Sequence, residues 1–473
     1  MRSPLALGYS QQRSRPVNAA RVVNLYAEAT PEGSRSKVVL YGTPGQKEWH
    51  TIGGDTIRAG LEGQGVAYIL SGSVLWKVEE DGTATACTGD LIPATGHATL
   101  INNGYQIGLL VVPDFFVITD TTVVKNTSSG VPAVGFSSVA YIDGYGILTN
   151  NDSSGEFCIT ALQDFSTIDP LDFASAESSP DGLVSVLVDH REIWLFGTKT
   201  VEPWSNTGAS PFPLERVPGA LLERGCAAAR SPAKMDNSVF WLGDDRIVYR
   251  AEGYQPARIS THAIEEAIRT GDVSDAYGMT YFQGGHHFYV LTFPSLGRTF
   301  AFDPAASASA GIPIWHERQS GTSLTPAAWN VQCVFEAFGK TLVGLQAGKV
   351  AELDLDTYTD LGEPIRSVIV GTPFFAEGSR AIMVDYEVEC EIGVGSTDGQ
   401  GQDPQLMLRF SDDGGSTWSN ESRAGLGRMG VRIIRALWNR LGSFRQRTVE
   451  IAISDPVKRA FYGMRSTIKP LAK

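Results

Sequence analysis

The sequence predicts an all-β fold: a β-propeller of about seven blades, with an extended N-terminal arm and a C-terminal β-sandwich-like unit. Glycine is abundant, at 51 of 473 residues, and aromatic residues make up 10%, a composition that suits many short strands joined by tight turns. A strand–turn–strand pattern recurs along the chain at intervals of 41 to 52 residues. Helical patterns are rare, and the clearest one, AIEEAIRTG at 263–271, is short.

Residues 1–49 show no clear hydrophobic period and are predicted to form the extended arm. The segments NLYAE and LYGTPG lie in its second half. Ahead of these segments the arm carries Arg2, Arg13, Arg15 and Arg21.

Residues 50–365 are predicted to form the propeller. Each repeat has an apolar strand, a tight turn and a second strand of alternating character. The second strands begin near GSVLWKV (72–78), PDFFVIT (113–119), GEFCIT (155–160), KTVEPWS (199–205), DRIVYRA (245–251), GRTFAFD (297–303) and GKVAELD (348–354). Four-stranded blades take roughly 40 to 50 residues each. A single hairpin cannot bury its apolar face, so the repeats are expected to close into a ring.

Residues 366–473 are predicted to form a separate β-sandwich-like unit or, alternatively, a modified last blade. Its strands are AIMVDYEVECEIGVG, RTVEIAIS, FYGMRSTI and a hairpin around SDDGGSTW at 411–418. That octapeptide fits S-x-D-x-G-x-T-W, the Asp-box of sialidases and other propeller enzymes. Ser411, Asp413 and Gly415 favour a tight turn, and Trp418 is predicted to open the returning strand and bury its ring. The motif therefore predicts a hairpin staple and no catalytic role.

The charge of the chain is unevenly distributed. The net charge is −13, yet residues 423–473 carry twelve Lys and Arg against two Asp and Glu. The preceding residues carry 27 basic and 50 acidic side chains, a balance of −23. This asymmetry favours a docking surface for an acidic partner or a neighbouring copy over a solvated basic face. The interface is predicted at Arg428, Arg432, Arg435, Arg440, Arg445 and Arg447.

No catalytic, cofactor-binding or metal site is predicted. The five cysteines are scattered and form no CxxC pair, which indicates buried thiols in a reducing compartment. His286 and His287 are neighbours in a strand and point to opposite faces. Asp354, Asp356 and Asp360 lack the glycine and the distal glutamate of an EF-hand loop.

No membrane span or secretory signal is predicted either. The most apolar run, IGLLVVPDFFVIT at 107–119, falls short of the roughly 20 residues that a spanning helix needs. We therefore expect the chain to be made and assembled in the cytoplasm.

One stretch, FASAESSPDGLVSVLVDHREIWLFGTKTVEPWSNTG at 173–208, carries two linked motifs. It resembles the phage stabilisation family, the tail hub proteins that stabilise packaged DNA in short-tailed phages. The segments VNLYAEATPEG and LWNRLGSFRQRTVEIAIS also resemble the opening and closing segments of this family. The residues that match its motifs are Ser178, Pro180, Asp181, Gly182, Phe196, Gly197, Glu202, Trp204 and Gly208.

The resemblance implies a structural, non-enzymatic virion protein that forms a ring of six copies below the portal and its adaptor. Such a hub completes the filled head, retains the packaged DNA, carries tailspikes, fibres or a needle, and provides the channel for genome ejection. The DNA would pass through the lumen without sequence-specific binding. The alternative is a virion-associated propeller enzyme, or a receptor-binding protein, that acts on host glycans. An enzyme of that kind should show a carboxylate pair and arginines that converge at the centre of the ring.

Overall fold

A computed structural model describes residues 2–3, 5–152, 154–176, 181–376 and 379–471. Within them, the chain between residues 45 and 354 forms antiparallel four-stranded units, numbered 1 to 7 in chain order. The strands of units 1 and 2 are Ile57–Gly63, Val66–Ser71, Val74–Val78 and Ala84–Ala86, then Ala98–Asn102, Ile107–Val111, Asp114–Thr119 and Thr122–Lys125, with Thr88–Gly89 added in parallel. The strands of units 3 and 4 are Phe136–Ile142, Tyr145–Asn150, Glu156–Ile159 and Phe173–Ser175, then Leu183–Asp189, Glu192–Gly197, Val201–Asn206 and Leu214–Arg216.

Units 5 to 7 continue the same pattern. Their strands are Ala233–Met235, Ser238–Leu242, Val248–Glu252 and Gln255–Arg258, then Tyr277–Gln283, His286–Phe293, Arg298–Phe302 and Trp315–Glu317, then Cys333–Ala337, Lys340–Gly344, Lys349–Asp354 and Gly45–Thr51. Every predicted hairpin is confirmed as the antiparallel pair of the second and third strands of a unit. Alternation and turn residues are local signals, which explains why the sequence revealed these pairs.

The seven units form a closed ring, as a β-propeller requires. The first strand of each unit contacts the first strand of the next, and Cys333–Ala337 of unit 7 returns to Ile57–Gly63 of unit 1. The strand Gly45–Thr51 completes this ring. It pairs antiparallel with Lys349–Asp354 as the fourth strand of unit 7. This strand crosses the boundary predicted at residue 49, because unit 7 would otherwise leave an uncovered strand edge.

Helices are few and short. The helix predicted near 263–271 is confirmed as His262–Ala267, where the Thr261 side chain accepts a hydrogen bond from the Ile264 amide. A second helix, Pro304–Ala310, begins after Asp303, whose side chain caps the Ala306 amide. Pro294–Leu296 forms a single 3₁₀ turn.

The C-terminal part is a β-sandwich, and the alternative of a modified last blade is wrong. The strands of its first sheet are Arg2–Ser3, Leu25–Ala29, Val38–Gly42, Ala460–Pro470, Ala381–Cys390, Ala436–Asn439 and Ser443–Phe444. The strands of its second sheet are Arg21–Val23, Ser367–Val370, Phe374–Phe375, Gln446–Ile453, Gln405–Ser411 and Ser422–Gly425. Apolar side chains of both sheets, such as Leu25, Met383, Tyr386, Val449, Ile451 and Phe461, bury one common core. The short strands Thr359–Asp360 and Glu363–Pro364 lie between propeller and sandwich.

The N-terminal arm joins the two domains. Arg21–Val23 pairs antiparallel with Ser367–Val370 of the sandwich and, through Val23, in parallel with Glu317 of unit 6. The buried Asn24 side chain donates hydrogen bonds to the carbonyls of Gln319 and Arg366, at 2.8 and 2.9 Å. The arm thus ties a propeller unit to the sandwich by backbone and side-chain contacts.

Candidate assembly interface

Four of the six arginines predicted to form the interface have exposed side chains, and none of the four makes a strong ion pair with another described residue. Arg432, Arg440 and Arg445 are exposed. Arg428 is exposed too, and its Nε lies 3.9 Å from Asp403, a separation at which an exposed pair contributes little. These side chains are available for contact with a partner.

Arg447 does not belong to this surface. Its side chain is only 2% exposed, and its Nε and Nη2 donate to the two carboxylate oxygens of Asp412 at 2.7 and 2.8 Å. Its guanidinium also lies over the Phe410 and Phe444 rings, at 4.0 and 4.9 Å. The sequence-based assignment is wrong here because a carboxylate from another hairpin and two aromatic rings bind this arginine inside the sandwich.

Arg435 is intermediate between these cases. It stays exposed, yet it donates to both carboxylate oxygens of Glu387, at 2.8 and 2.7 Å. This hydrogen bonding lowers the pKa of Glu387. Reversing the charge of Arg435 would therefore perturb the fold as well as the surface.

Sequence reasoning missed an apolar component beside the arginines. Residues 428–433, here called the basic loop, hold Met429, Val431 and Ile433 with exposed fractions of 60%, 43% and 95%. The Val431 amide donates to the Arg428 carbonyl at 3.0 Å, which closes a turn and presents these side chains outward. The alternation of Arg with apolar residues in RMGVRI was the available signal. Apolar anchors with flanking arginines are typical of protein interfaces.

The Asp-box forms the predicted hairpin turn between Gln405–Ser411 and Ser422–Gly425. The Asp413 carboxylate accepts hydrogen bonds from the amides of Ser416 and Thr417 and from the hydroxyls of Ser411 and Thr417. These bonds lower the pKa of Asp413. The Asp413 carboxylate is thus engaged in stapling the turn.

Trp418 differs from the prediction in two respects. It precedes the returning strand, which begins at Ser422, and its ring is half-buried. The Arg409 guanidinium lies 4.8 Å from the ring centroid, so a cation–π contact replaces part of the burial that the motif predicts.

The family-motif residues also have local structural roles, although Ser178 and Pro180 lie outside the described residues. The Asp181 carboxylate accepts from the amides of Lys199 and Thr200, at 2.7 and 3.0 Å, and from the Thr200 hydroxyl. Gly197 is required beside it, because a Cβ there would lie 2.3 Å from Asp181 Oδ2. Gly182 directly follows this capping aspartate in the chain.

The remaining motif residues support the third strand of unit 4 and its surroundings. The Glu202 carboxylate is buried and accepts from Trp204 Nε1 at 2.9 Å. Phe196 is buried against Trp241, with ring centroids 5.9 Å apart. Gly208 has a φ of +67°, which suits glycine. The described motif residues therefore make structural contacts within unit 4 and with its neighbour.

For a glycan-acting enzyme, arginines and a carboxylate pair were expected at the centre of the ring, and the structure places arginines there. Arg58 and Arg230 line a cavity of about 340 Å³ there, and none of its described lining residues is an aspartate or glutamate.

Among the described residues, no group of three metal-ligating side chains is present. His286 is packed against Asp303, with Nδ1 and Oδ2 2.7 Å apart, while His287 is half-buried. No helix in the described part of the chain is long and apolar enough to cross a membrane.

Comparisons with known proteins match both domains. A family model described as bacteriophage P22 Gp10, β-propeller, matches residues 1–358, and one described as bacteriophage P22 Gp10, β-sandwich, matches residues 367–469. The tail hub protein gp10 of Salmonella phage P22 is 25% identical over 308 residues. That match covers 63% of this chain and 62% of the relative, less than two thirds of its length.

Solved structures also align with the chain. BamB from Moraxella catarrhalis is 9% identical, with a TM-score of 0.42 over 70% of this chain and 97% of that one. PorZ of the type-IX secretion system of Porphyromonas gingivalis is 11% identical, with a TM-score of 0.40 over 81% of this chain and 46% of that one.

Proposed function

Because the chain belongs to the phage stabilisation family, we propose that it is a structural virion protein, the tail hub of a short-tailed phage. The observation that carries this proposal is the match of both domains to the two P22 Gp10 family models, in order along the chain. The tail hub of phage P22 as a relative supports the same role and location in the virion tail. In this proposal each of the seven units is one blade of the propeller.

The hub would sit below the portal and adaptor and close the filled head. It would carry the tailspikes, fibres or needle and provide the route for genome ejection. A cavity of about 340 Å³ at the propeller centre cannot admit duplex DNA. The lumen must therefore lie between copies, which supports a ring, with six copies implied by the family. The acidic balance of −23 in residues 1–422 would keep phosphates from sticking to such a lumen.

We propose that the basic loop, with Arg440 and Arg445, docks on the acidic body of the neighbouring copy. Both signs of charge are present on one chain, as a heterologous contact that closes a ring requires. The exposed Ile433 and Met429 supply the apolar anchors. The arginines would guide encounter and fix the register of the contact.

The test of the hub role is to assemble phage particles without this chain and to quantify packaged DNA beside wild type by electron microscopy and nuclease protection. Heads that fill and then leak, without spikes or plug, are expected. Stable filled heads with nearly complete tails would contradict the hub role. They would favour the alternative of a glycan-acting enzyme or receptor-binding protein.

The docking surface is tested by the double variant Arg432→Glu and Arg440→Glu, with Arg15→Glu, an exposed arginine of the arm, as the matched control. The double variant should fold with an unchanged thermal midpoint and fail to enter particles, while the control enters normally. Incorporation of the double variant at the wild-type level would overturn the proposed surface. Normal self-association together with failure to join the portal complex would assign the surface to the adaptor instead.

A further inference from the structure

The cavity at the centre of the propeller is built by all seven units. It is bordered by residues of each first strand or of the segment just before it, and its volume is about 340 Å³. That volume is within the range of small-molecule sites. Val139, Leu187 and Met279 give it apolar walls, and Arg58, His97 and Arg230 give it a cationic, polar side.

Arg58 is a fixed positive charge in this cavity. It lies at a β-bulge, because Ile57 and Ala59 pair with Ser71 and Leu70 and leave no partner for the residue between them. Bulges redirect a side chain and often lie beside functional sites. The guanidinium donates to the carbonyls of Gly72, Pro93 and Gly96, each at 2.7 Å. These carbonyls hold the group in place without neutralising its charge.

Arg230 is a second cation, and it has no anionic partner among the described residues. Its Nε is buried without a hydrogen bond, and among the described residues its guanidinium donates to no acceptor. The Tyr277 ring lies 4.8 Å away and offers only a cation–π contact. Burial lowers the pKa of Arg230. A partly desolvated charge without a counterion is unfavourable unless an anion joins it.

His97 adds an unpaired polar atom to the same cavity. Its Nε2 is 3.0 Å from the Thr99 hydroxyl, whereas its Nδ1 is buried without a partner. Burial, together with the charges of Arg230 and Arg58, lowers the pKa of His97 to about 3. The imidazole is therefore neutral at physiological pH. In the tautomer with hydrogen on Nδ1, it leaves an unsatisfied buried donor beside two arginines.

We propose that this central cavity binds a small oxyanion, a phosphate or the carboxylate of a compact organic acid, between Arg58, Arg230 and His97. Guanidinium groups match the two oxygens of such anions geometrically. The apolar wall of Val139, Leu187 and Met279 suits the body of an organic acid. The described lining holds no aspartate or glutamate, the residues that most glycoside hydrolases use as acid and nucleophile.

The test uses the purified full-length chain. Thermal unfolding and titration calorimetry are carried out with inorganic phosphate, with glucuronate and with chloride at matched ionic strength. Arg230→Met removes the unpaired charge at similar length, and Arg15→Met is the control for loss of an exposed arginine. Without added oxyanion, Arg230→Met should unfold at the wild-type temperature or above it, which shows that it folds.

Phosphate or glucuronate should raise the unfolding temperature of wild type and of Arg15→Met by a few degrees more than that of Arg230→Met. Binding to Arg230→Met should be weaker by about tenfold or more. A response to phosphate alone identifies a phosphate ligand, and a response to glucuronate alone identifies a carboxylate. Equal shifts in wild type and Arg230→Met would reflect general salt exclusion and would overturn the site, as would the lack of any difference from chloride.

Discussion

Replacing Arg447 separates a structural arginine from a docking arginine. In the structure, Arg447 holds both oxygens of Asp412 and donates through Nη1 to the Leu441 carbonyl at 2.6 Å. It also lies 4.0 Å above the Phe410 ring. Arg432, by contrast, is exposed. The substitutions Arg447→Ala and Arg432→Ala remove the same side chain from these two environments.

The expected loss of unfolding free energy depends on which groups lose a partner in each variant. Breaking a buried ion pair costs about 3 to 5 kcal/mol when the remaining charge stays buried. The Asp412 side chain is 43% exposed and regains water, which reduces the cost. The Leu441 carbonyl loses its donor and the Phe410 ring loses its packing partner, so the cost stays near the lower end of that range. We therefore expect Arg447→Ala to lose about 3 kcal/mol of unfolding free energy. Arg447→Lys, which keeps the charge and loses the planar fork, should lose about half as much. Arg432→Ala should stay within about 0.5 kcal/mol of wild type.

Urea unfolding of the purified chain, followed by circular dichroism and tryptophan fluorescence, measures these differences. Incorporation into particles is scored in parallel for each variant at a temperature where all are folded. The reasoning is refuted if Arg447→Ala unfolds like Arg432→Ala yet fails to assemble. Arg447 would then belong to the docking surface, as the sequence alone suggested.

Three further outcomes are expected. His316 is buried, its side chain has no hydrogen-bond partner among the described residues, and burial lowers its pKa to about 3. Because the unfolded chain binds the proton first, stability falls as the pH drops from about 6.5 toward 3, by about 1.4 kcal/mol per pH unit. His316→Phe should therefore reduce the destabilisation at pH 5 by about 2 kcal/mol, measured by thermal unfolding across pH, and an unchanged pH dependence would contradict this. Asp181→Ala leaves the Thr200 amide without its acceptor and should cost about 1 to 2 kcal/mol, with Asp181→Asn less affected; equal stability would exclude the capping role. Asp413→Ala frees the turn amides of Thr417 and Ser416, so limited proteolysis should cut 411–418 faster while particle assembly continues, and a block in assembly would instead give the turn a docking role.

The hairpins of the propeller could be predicted because their determinants are local. Period-two alternation and turn residues lie within a few positions of each other in every repeat. The pairing of Gly45–Thr51 with unit 7 could not be predicted in this way. Gly45–Thr51 pairs with Lys349–Asp354, which lies about 300 residues away in the sequence. The segment GQKEWHT is too polar to be predicted as a strand. Only the uncovered edge of unit 7 explains its position.

The arginines show the same limit at the level of single side chains. The basic segment could be identified from composition, because the count of charged residues does not depend on the fold. It could not distinguish Arg445 from Arg447, two positions apart, since Arg447 meets Asp412 only after the hairpin of residues 405–425 packs beside its strand. Contacts between separate hairpins decide which charges remain free for a partner.

The same limit applies to the central cavity, whose residues are distant in the sequence. Arg58, His97 and Arg230 come from three different units, and only closure of the ring brings them to one cavity. Converging arginines are one of the two features expected of a glycan-cleaving enzyme, and the described lining holds no aspartate or glutamate as the other. The cavity and the basic loop belong to different domains, so their roles are separable. Arg230→Met should weaken oxyanion binding by about tenfold or more and leave particles able to retain DNA. Arg432→Glu with Arg440→Glu should leave oxyanion binding unchanged and block assembly. If Arg230→Met unfolds at the wild-type temperature yet loses both properties, the anion is itself a requirement for assembly.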